Sequence, residues 1–256
     1  MPQAKSQTQD IQSLVAKVDA LNRVQAVIEF ELDGTIKTAN DNFLAVTGYQ
    51  LEEIVGQHHR MFTIGDYANS QEYADFWQKL NKGEFDSGEY QRVGKNGQEI
   101  WIQASYNPVL DEEGNVVSVV KFATDITEQK RVQADYEGQI EAIHKSQAVI
   151  EFNLDGTILN ANDNFLAAVG YELHEIVGQH HSMFADREYA ASNDYRQFWQ
   201  NLRDGKFDSG EYKRLAKGGK EIWIQATYNP IHCKQTGQVL GVLKIATDIT
   251  EARIND

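Results

Sequence analysis

One cysteine, Cys233, stands in 256 residues. An internal disulfide and a cysteine-based zinc site are therefore excluded. Positive charge is also scarce. Lys and Arg number 24 against 38 Asp and Glu, for a net charge of −14. That balance argues against nucleic acid, where Lys and Arg neutralise phosphates, and against anionic membrane surfaces. No apolar run approaches the roughly 18 residues that a transmembrane helix requires. The polar start, MPQAKSQTQD, has no signal-peptide core. There is no glycine-rich phosphate loop, no Walker pattern and no His-Glu-x-x-His motif. The expectation is a cytoplasmic protein that is not an enzyme, inserts in no membrane and binds no nucleic acid.

What is present is a repeat. Gln25 to Thr127 recurs as Gln147 to Thr250. QAVIEFELDGTIKTANDNFLAVTGY returns as QAVIEFNLDGTILNANDNFLAAVGY, and EIVGQHHRMF returns as EIVGQHHSMF. The offset is 122 residues up to the Asn-Pro pair and 123 after it. Solenoid units run to about 50 residues, so each copy is a whole small domain.

Periodicity sketches each copy. Ile11, Leu14, Val15, Val18 and Leu21 form one helical stripe in the leading segment. Its partner must be the first domain or another chain. Ile28, Phe30 and Leu32 alternate with acidic residues as a half-buried strand, and Asp33-Gly34 signals a two-residue hairpin. Short helices follow, then a longer helix over 70–81 with Tyr73, Phe76, Trp77 and Leu80 on its buried stripe. Three strands close the copy, over 88–93, 99–109 and 116–124. Strands grouped around a helical middle predict an α+β fold with a five-stranded antiparallel sheet and helices on one face. Between the copies, Val132, Tyr136, Ile140 and Ile143 mark an amphipathic helix. The expected layout is an N-terminal helix over 1–22, domains over 23–127 and 146–250, a linker helix over 128–145, and the start of an output helix over 251–256.

The strand order, with NDNF, GY, GQHH, FW, a Lys-Asn-Gly or Lys-Gly-Gly hairpin, YNP and a final Asp-Ile-Thr, resembles PAS sensor domains. Within that family the pattern is similar to sensor domains of bacterial methyl-accepting chemoreceptors, of the aerotaxis and biofilm-dispersion types. The resemblance implies a sensory input module that passes a ligand or redox signal from interior cavities to helices. It also implies homodimers formed through the flanking helices and an output domain beyond this chain. The other readings are a ligand-free interaction scaffold, or an input to a histidine kinase or diguanylate cyclase.

The resemblance ranks FAD first and haem second among cofactors, with neither identified. It places Asn40, Trp77, Asn162 and Trp199 beside a cofactor. His59 and His181 match a histidine of the aerotaxis pattern, but the Arg-His-Pro-Asp run of that pattern is missing. Light-sensing flavin domains carry a cysteine where His59 and His181 stand, so a thiol adduct is excluded. For haem, one of His58 and His59, and one of His180 and His181, is the candidate ligand. The bland alternatives stay open: a core role for the tryptophans, a backbone cap for the asparagines, a hydrogen-bonded helix end for the histidines. The pairs alone lack ligands for zinc. The signal relay is assigned to Asp125 and Thr127, and to Asp248 and Thr250. The aspartate is expected to cap or to pair locally, with Lys121 or a hairpin residue as partner.

Overall fold

The computed structural model describes residues 2–254, and the side chains of residues 11–253. Asn255 and Asp256, the end of the expected output helix, lie outside the described residues. The chain divides between Asp135 and Tyr136 into two compact units.

A leading helix, α1 (Pro2–Val24), enters the first domain. The order is then β1 (Ala26–Phe30), β2 (Ile36–Ala39), α2 (Asp41–Thr47), α3 (Leu51–Ile54), two short 3-10 turns, α4 (Gln71–Asn81), β3 (Asp86–Val93), β4 (Glu99–Leu110) and β5 (Val116–Asp125). α5 (Thr127–Ser146) leaves it and leads to the second copy: β6 (Ala148–Phe152), β7 (Ile158–Ala161), α6 (Asp163–Val169), α7 (Leu173–Ile176), α8 (Arg187–Ala191), α9 (Asn193–Arg203), β8 (Asp208–Leu215), β9 (Glu221–His232), β10 (Val239–Asp248) and α10 (Thr250–Ile254). Each copy is a five-stranded antiparallel sheet. The orders are β2-β1-β5-β4-β3 and β7-β6-β10-β9-β8.

The sheet's alternation selects its inward face. In the first domain Ala26, Ile28 and Phe30 of β1 face inward beside Val119, Lys121 and Ala123 of β5, and Ile100, Ile102, Ala104 and Tyr106 of β4. The helical layer answers with Phe43, Ile54, Phe62, Tyr73, Phe76, Trp77 and Leu80. Ser70 starts α4 at the expected place: its Oγ accepts the Tyr73 amide at 3.1 Å, and Gly83 at φ +86° follows its end.

Two local expectations need correction. Leu32 is not a core strand residue; β1 ends at Phe30, and Leu32 is exposed in the turn. The Asp33-Gly34 turn is not a two-residue hairpin, because only Gly34 has positive φ. The Glu31 carbonyl accepts the Gly34 amide, and Glu31 and Thr35 pair beyond it. That is a three-residue loop closed by a left-handed glycine. Asn96-Gly97, by contrast, has both residues at positive φ, as a mirror-image turn requires.

Candidate functional site

Three groups of residues meet in each domain: an entry junction, a buried polar chain and an exit junction. Asn40 builds the first. Its Oδ1 accepts the amides of Val27 (2.9 Å) and Phe43 (3.0 Å), and its Nδ2 donates to the carbonyls of Asn22 (3.1 Å) and Gln25 (2.9 Å). One side chain thus joins the end of α1, the start of β1 and the N-terminus of α2. Asn162 repeats this with Val149, Phe165, His144 and Gln147. All four hydrogen-bonding positions of each amide are spent on backbone. Of the two readings of Asn40 and Asn162, the backbone cap is the one these bonds form. Asn162→Ala is expected to cost about 2 kcal/mol, because buried backbone groups lose their partner. Faster amide exchange at Val149 and Phe165, and unchanged exchange at Val27 and Phe43, would check it.

His58 and His59 point to different places. The ring of His58 is half-buried. Its Nε2–H donates to the Asp33 carbonyl at 2.6 Å, and Nδ1 accepts the Arg60 amide at 3.1 Å. It clamps the β1–β2 turn. His180 does the same on Asp155 and Ser182. His59 is fully buried, with Nδ1 2.8 Å from the Tyr73 hydroxyl and Nε2 3.0 Å from that of Tyr106. Arg92 Nη2 donates to the same Tyr106 oxygen at 3.2 Å. The Tyr106 proton is then free to donate to Nε2, which puts the imidazole proton on Nδ1, toward Tyr73. The chain Arg92–Tyr106–His59–Tyr73 recurs as Arg214–Tyr228–His181–Tyr195. Trp77 and Trp199 are buried on their helix stripes, edge-on to Phe30 and His59, and to Phe152 and His181.

Beside this chain lies Lys121, 1% exposed on the inward face of the central strand. Its Nζ meets the ring faces of Tyr106 (5.0 Å) and Phe43 (5.7 Å). Lys244 repeats it over Tyr228 and Phe165. Among the described residues neither lysine forms an ion pair. Arg92 and Tyr106 were not singled out from the sequence, and Tyr73 and Lys121 were named there only as a core residue and as a partner for Asp125. Strict alternation through Val119, Lys121 and Ala123 carried the signal for the lysine.

Burial holds the basicity of His59 well below its ordinary 6.5, and the charges of Lys121 and Arg92 push it the same way. Burial acts likewise on His181, with Arg214 and Lys244. Both histidines are neutral in the folded domains. The unfolded chain takes up a proton on each below about pH 6.5, and the folded domain refuses it. Stability is therefore present above pH 6.5 and is lost as the pH falls. The expected slope is about 1.4 kcal/mol per pH unit in each domain. Urea melts between pH 7 and 5 test this. His59→Gln should flatten the slope of the first domain alone.

The exit junction is the Asp-Ile-Thr tripeptide. Asp125 Oδ1 accepts the Thr127 amide (2.9 Å) and hydroxyl (2.5 Å). The Thr127 oxygen accepts the Trp101 amide at 2.9 Å, and the Ile126 amide donates to the Trp101 carbonyl at 2.8 Å. The end of β5 is thereby sewn to β4 at the first turn of α5. Lys130, one turn on, pairs with Glu89 of β3 at 2.5 Å and lies over the Trp101 ring. In the second copy Asp248, Thr250 and Trp223 repeat the stitch, and Arg253 pairs with Glu211 at 2.8 Å. The partner of the aspartate is thus the threonine two residues on, and not Lys121, which faces the core.

Two copies of one sheet, each sewn to a following helix by Asp-Ile-Thr, decide the family. The profile described as PAS fold matches residues 36–123, and the one described as PAS domain matches residues 146–251. The chain belongs to the PAS family. Its sequence is 38% identical over 232 residues to the biofilm dispersion protein BdlA of Pseudomonas aeruginosa, covering 91% of this chain and 55% of that protein. The aerotaxis receptor of Escherichia coli is 35% identical over 100 residues, or 39% of this chain and 19% of that receptor. A solved PAS domain from Colwellia psychrerythraea matches at 23% identity with a TM-score of 0.40, over 45% of this chain and 98% of its own. The chain thus spans about half the length of the biofilm dispersion protein. The PAS domains of this chain are similar to parts of a biofilm dispersion protein and of an aerotaxis receptor. Among the described residues no helix is long and apolar enough to cross a membrane.

As packed, the PAS interiors do not fit FAD or haem. The space between sheet and helical layer is about 10 Å³ in each domain. A ligand of that size class occupies a cleft of about 300 Å³ or more. Both ring nitrogens of His59 and of His181 are engaged by tyrosine hydroxyls. His58 and His180 bond their own turns.

Proposed function

We propose that the chain is the sensory input part of a bacterial chemotaxis- or aerotaxis-type receptor of the methyl-accepting class. In this reading it acts in the cytoplasm, is not an enzyme and drives an output domain that follows it. The observation that supports it is the exit junction. A shift of β5 inside the domain moves Asp125, and with it the first turn of α5. A coupling of about 1–3 kcal/mol is enough to bias an output equilibrium. Asp125, Thr127, Asp248 and Thr250 are the relay. The PAS domains are assigned to 23–127 and 146–250, with the helix over 1–22 leading and that over 128–145 between them.

The reading includes a homodimer. Ile11, Leu14, Val15, Val18 and Leu21 on α1 are each at least 47% exposed. Val132, Tyr136, Ile140 and Ile143 form a second exposed stripe on α5. Apolar stripes of this length seek a partner. Sedimentation of a monomer at tens of micromolar would remove the dimer.

The test joins the chain to the signalling domain of a chemoreceptor and measures the activity of the coupled kinase under changing oxygen and redox conditions. A response in the parent, and a constant output from the Asp248→Ala variant with its fold intact, are expected. A folded chimera whose output never changes favours the second reading, a ligand-free scaffold. The filled interiors are the observation on that side.

A further inference from the structure

Lys121 and Arg92 line one narrow interior space in the first domain, with Phe43, Phe62, Ile100 and Ile102 as its apolar walls. Lys244 and Arg214 line the matching space in the second. Both cations of the first pair are buried, at 1% and 7% exposed. The only carboxylate at either wall is Asp125 or Asp248. Each is exposed and turned to its threonine. The Nε–H groups of Arg92 and Arg214 are buried without a partner.

Two like charges in a buried space with no carboxylate paired to either are costly, by several kcal/mol per ion. Lysine can escape by giving up its proton, and burial together with the neighbouring arginine pushes it that way. Arginine keeps its charge, and its unpaired N–H stays unpaired even then. Buried N–H groups without a partner are rare in folded proteins. A counter-ion resolves both faults together. The space of about 10 Å³ is close to that of a single water-sized group. The polar wall residue Thr47 of the first domain is replaced by Val169 in the second, yet the Lys–Arg pair stands in both.

We propose that each PAS interior is a binding site for one small monovalent anion, a halide or the carboxylate head of a short acid, held by Lys121 and Arg92 in the first domain and by Lys244 and Arg214 in the second. Lys121 lies on β5, four residues before Asp125, so loss or gain of the anion acts on the strand that carries the exit junction. The site deepens the sensory reading and is tested apart from it.

The test uses the full chain, with sodium chloride and sodium formate titrated against sodium methanesulfonate, which is neither halide nor carboxylate, at constant ionic strength. Thermal melts and chlorine-35 relaxation are the readouts. At about a hundredfold excess over Kd, the folded-to-unfolded ratio of a domain should rise about 100-fold. Saturation should show two sites per chain. Lys121→Met should remove one and Lys244→Met the other. Chloride broadening that formate displaces assigns both anions to the site; a formate response alone assigns it to carboxylates. Should the Met variants not fold, the wild-type titration decides. Melts in chloride and formate that overlay those in methanesulfonate overturn the site, as does a response that survives in the folded double variant. Either result leaves the receptor reading to its own chimera.

Discussion

Tyr106→Phe should lower the stability of the first domain by about 3–5 kcal/mol while leaving its shape unchanged. The ring is fully buried, edge-on to Phe76 at 4.9 Å, and phenylalanine fills the same volume. Only the hydroxyl is lost. That oxygen meets His59 Nε2 and Arg92 Nη2. Its removal leaves an imidazole nitrogen and a guanidinium N–H unpaired in the core, at about 1–3 kcal/mol each and more for the charged group. A domain of this size loses roughly 4–8 °C in Tm per kcal/mol. Calorimetry should show the first domain melting roughly 15–25 °C earlier, with the second domain as internal reference. Tyr228→Phe should reverse the pattern. Tyr73→Phe leaves one neutral imidazole N–H unpaired and should cost about 1–3 kcal/mol. Equal losses for Tyr73→Phe and Tyr106→Phe would mean that Arg92 finds another acceptor.

Gly34→Ala should cost the first domain about 3 kcal/mol. Its φ of +87° is the left-handed region, which costs a side chain about 1–2 kcal/mol. The added methyl would also stand 2.8 Å from His58 Cε1 and Nε2 and 2.9 Å from Trp77 Cζ2. Neither ring is free to move. His58 is held by Asp33 and Arg60, and Trp77 is packed in the core. Overpacking of this kind costs roughly 1–3 kcal/mol. Gly56→Ala separates the two effects. Its φ is +80°, but nothing lies within 4 Å of the added methyl. Urea melts should place Gly34→Ala about 2 kcal/mol below Gly56→Ala. Equal losses would show that the clamp of His58 on its turn is loose.

The two histidines of each pair illustrate where sequence pattern stops. Adjacency alone shows that they diverge. It does not say which one the core takes. The isolated bridge between Thr35 and His58 settles that, because it turns His58 toward the turn and leaves His59 to the interior. Lys121 illustrates another limit. Its alternation with Val119 and Ala123 pointed inward, while its charge pointed to solvent. The register sets it between Ile28 on one side and Tyr106 on the other, on the inward face.

The duplicated chain, by itself, determined two domains of one fold, the switch from strand to helix and back, and an exit at each Asp-Ile-Thr. These follow from periods of two and of three to four, and from turn residues, which act within a few positions along the backbone. The chain from Arg92 through Tyr106 and His59 to Tyr73 was decided only by the tertiary structure. His59 and Tyr106 are 47 residues apart and sit on different layers. Alternation says which face a residue takes. Which residues meet across the core depends on strand register and on how the helical layer seats against the sheet, and no short-range pattern encodes that.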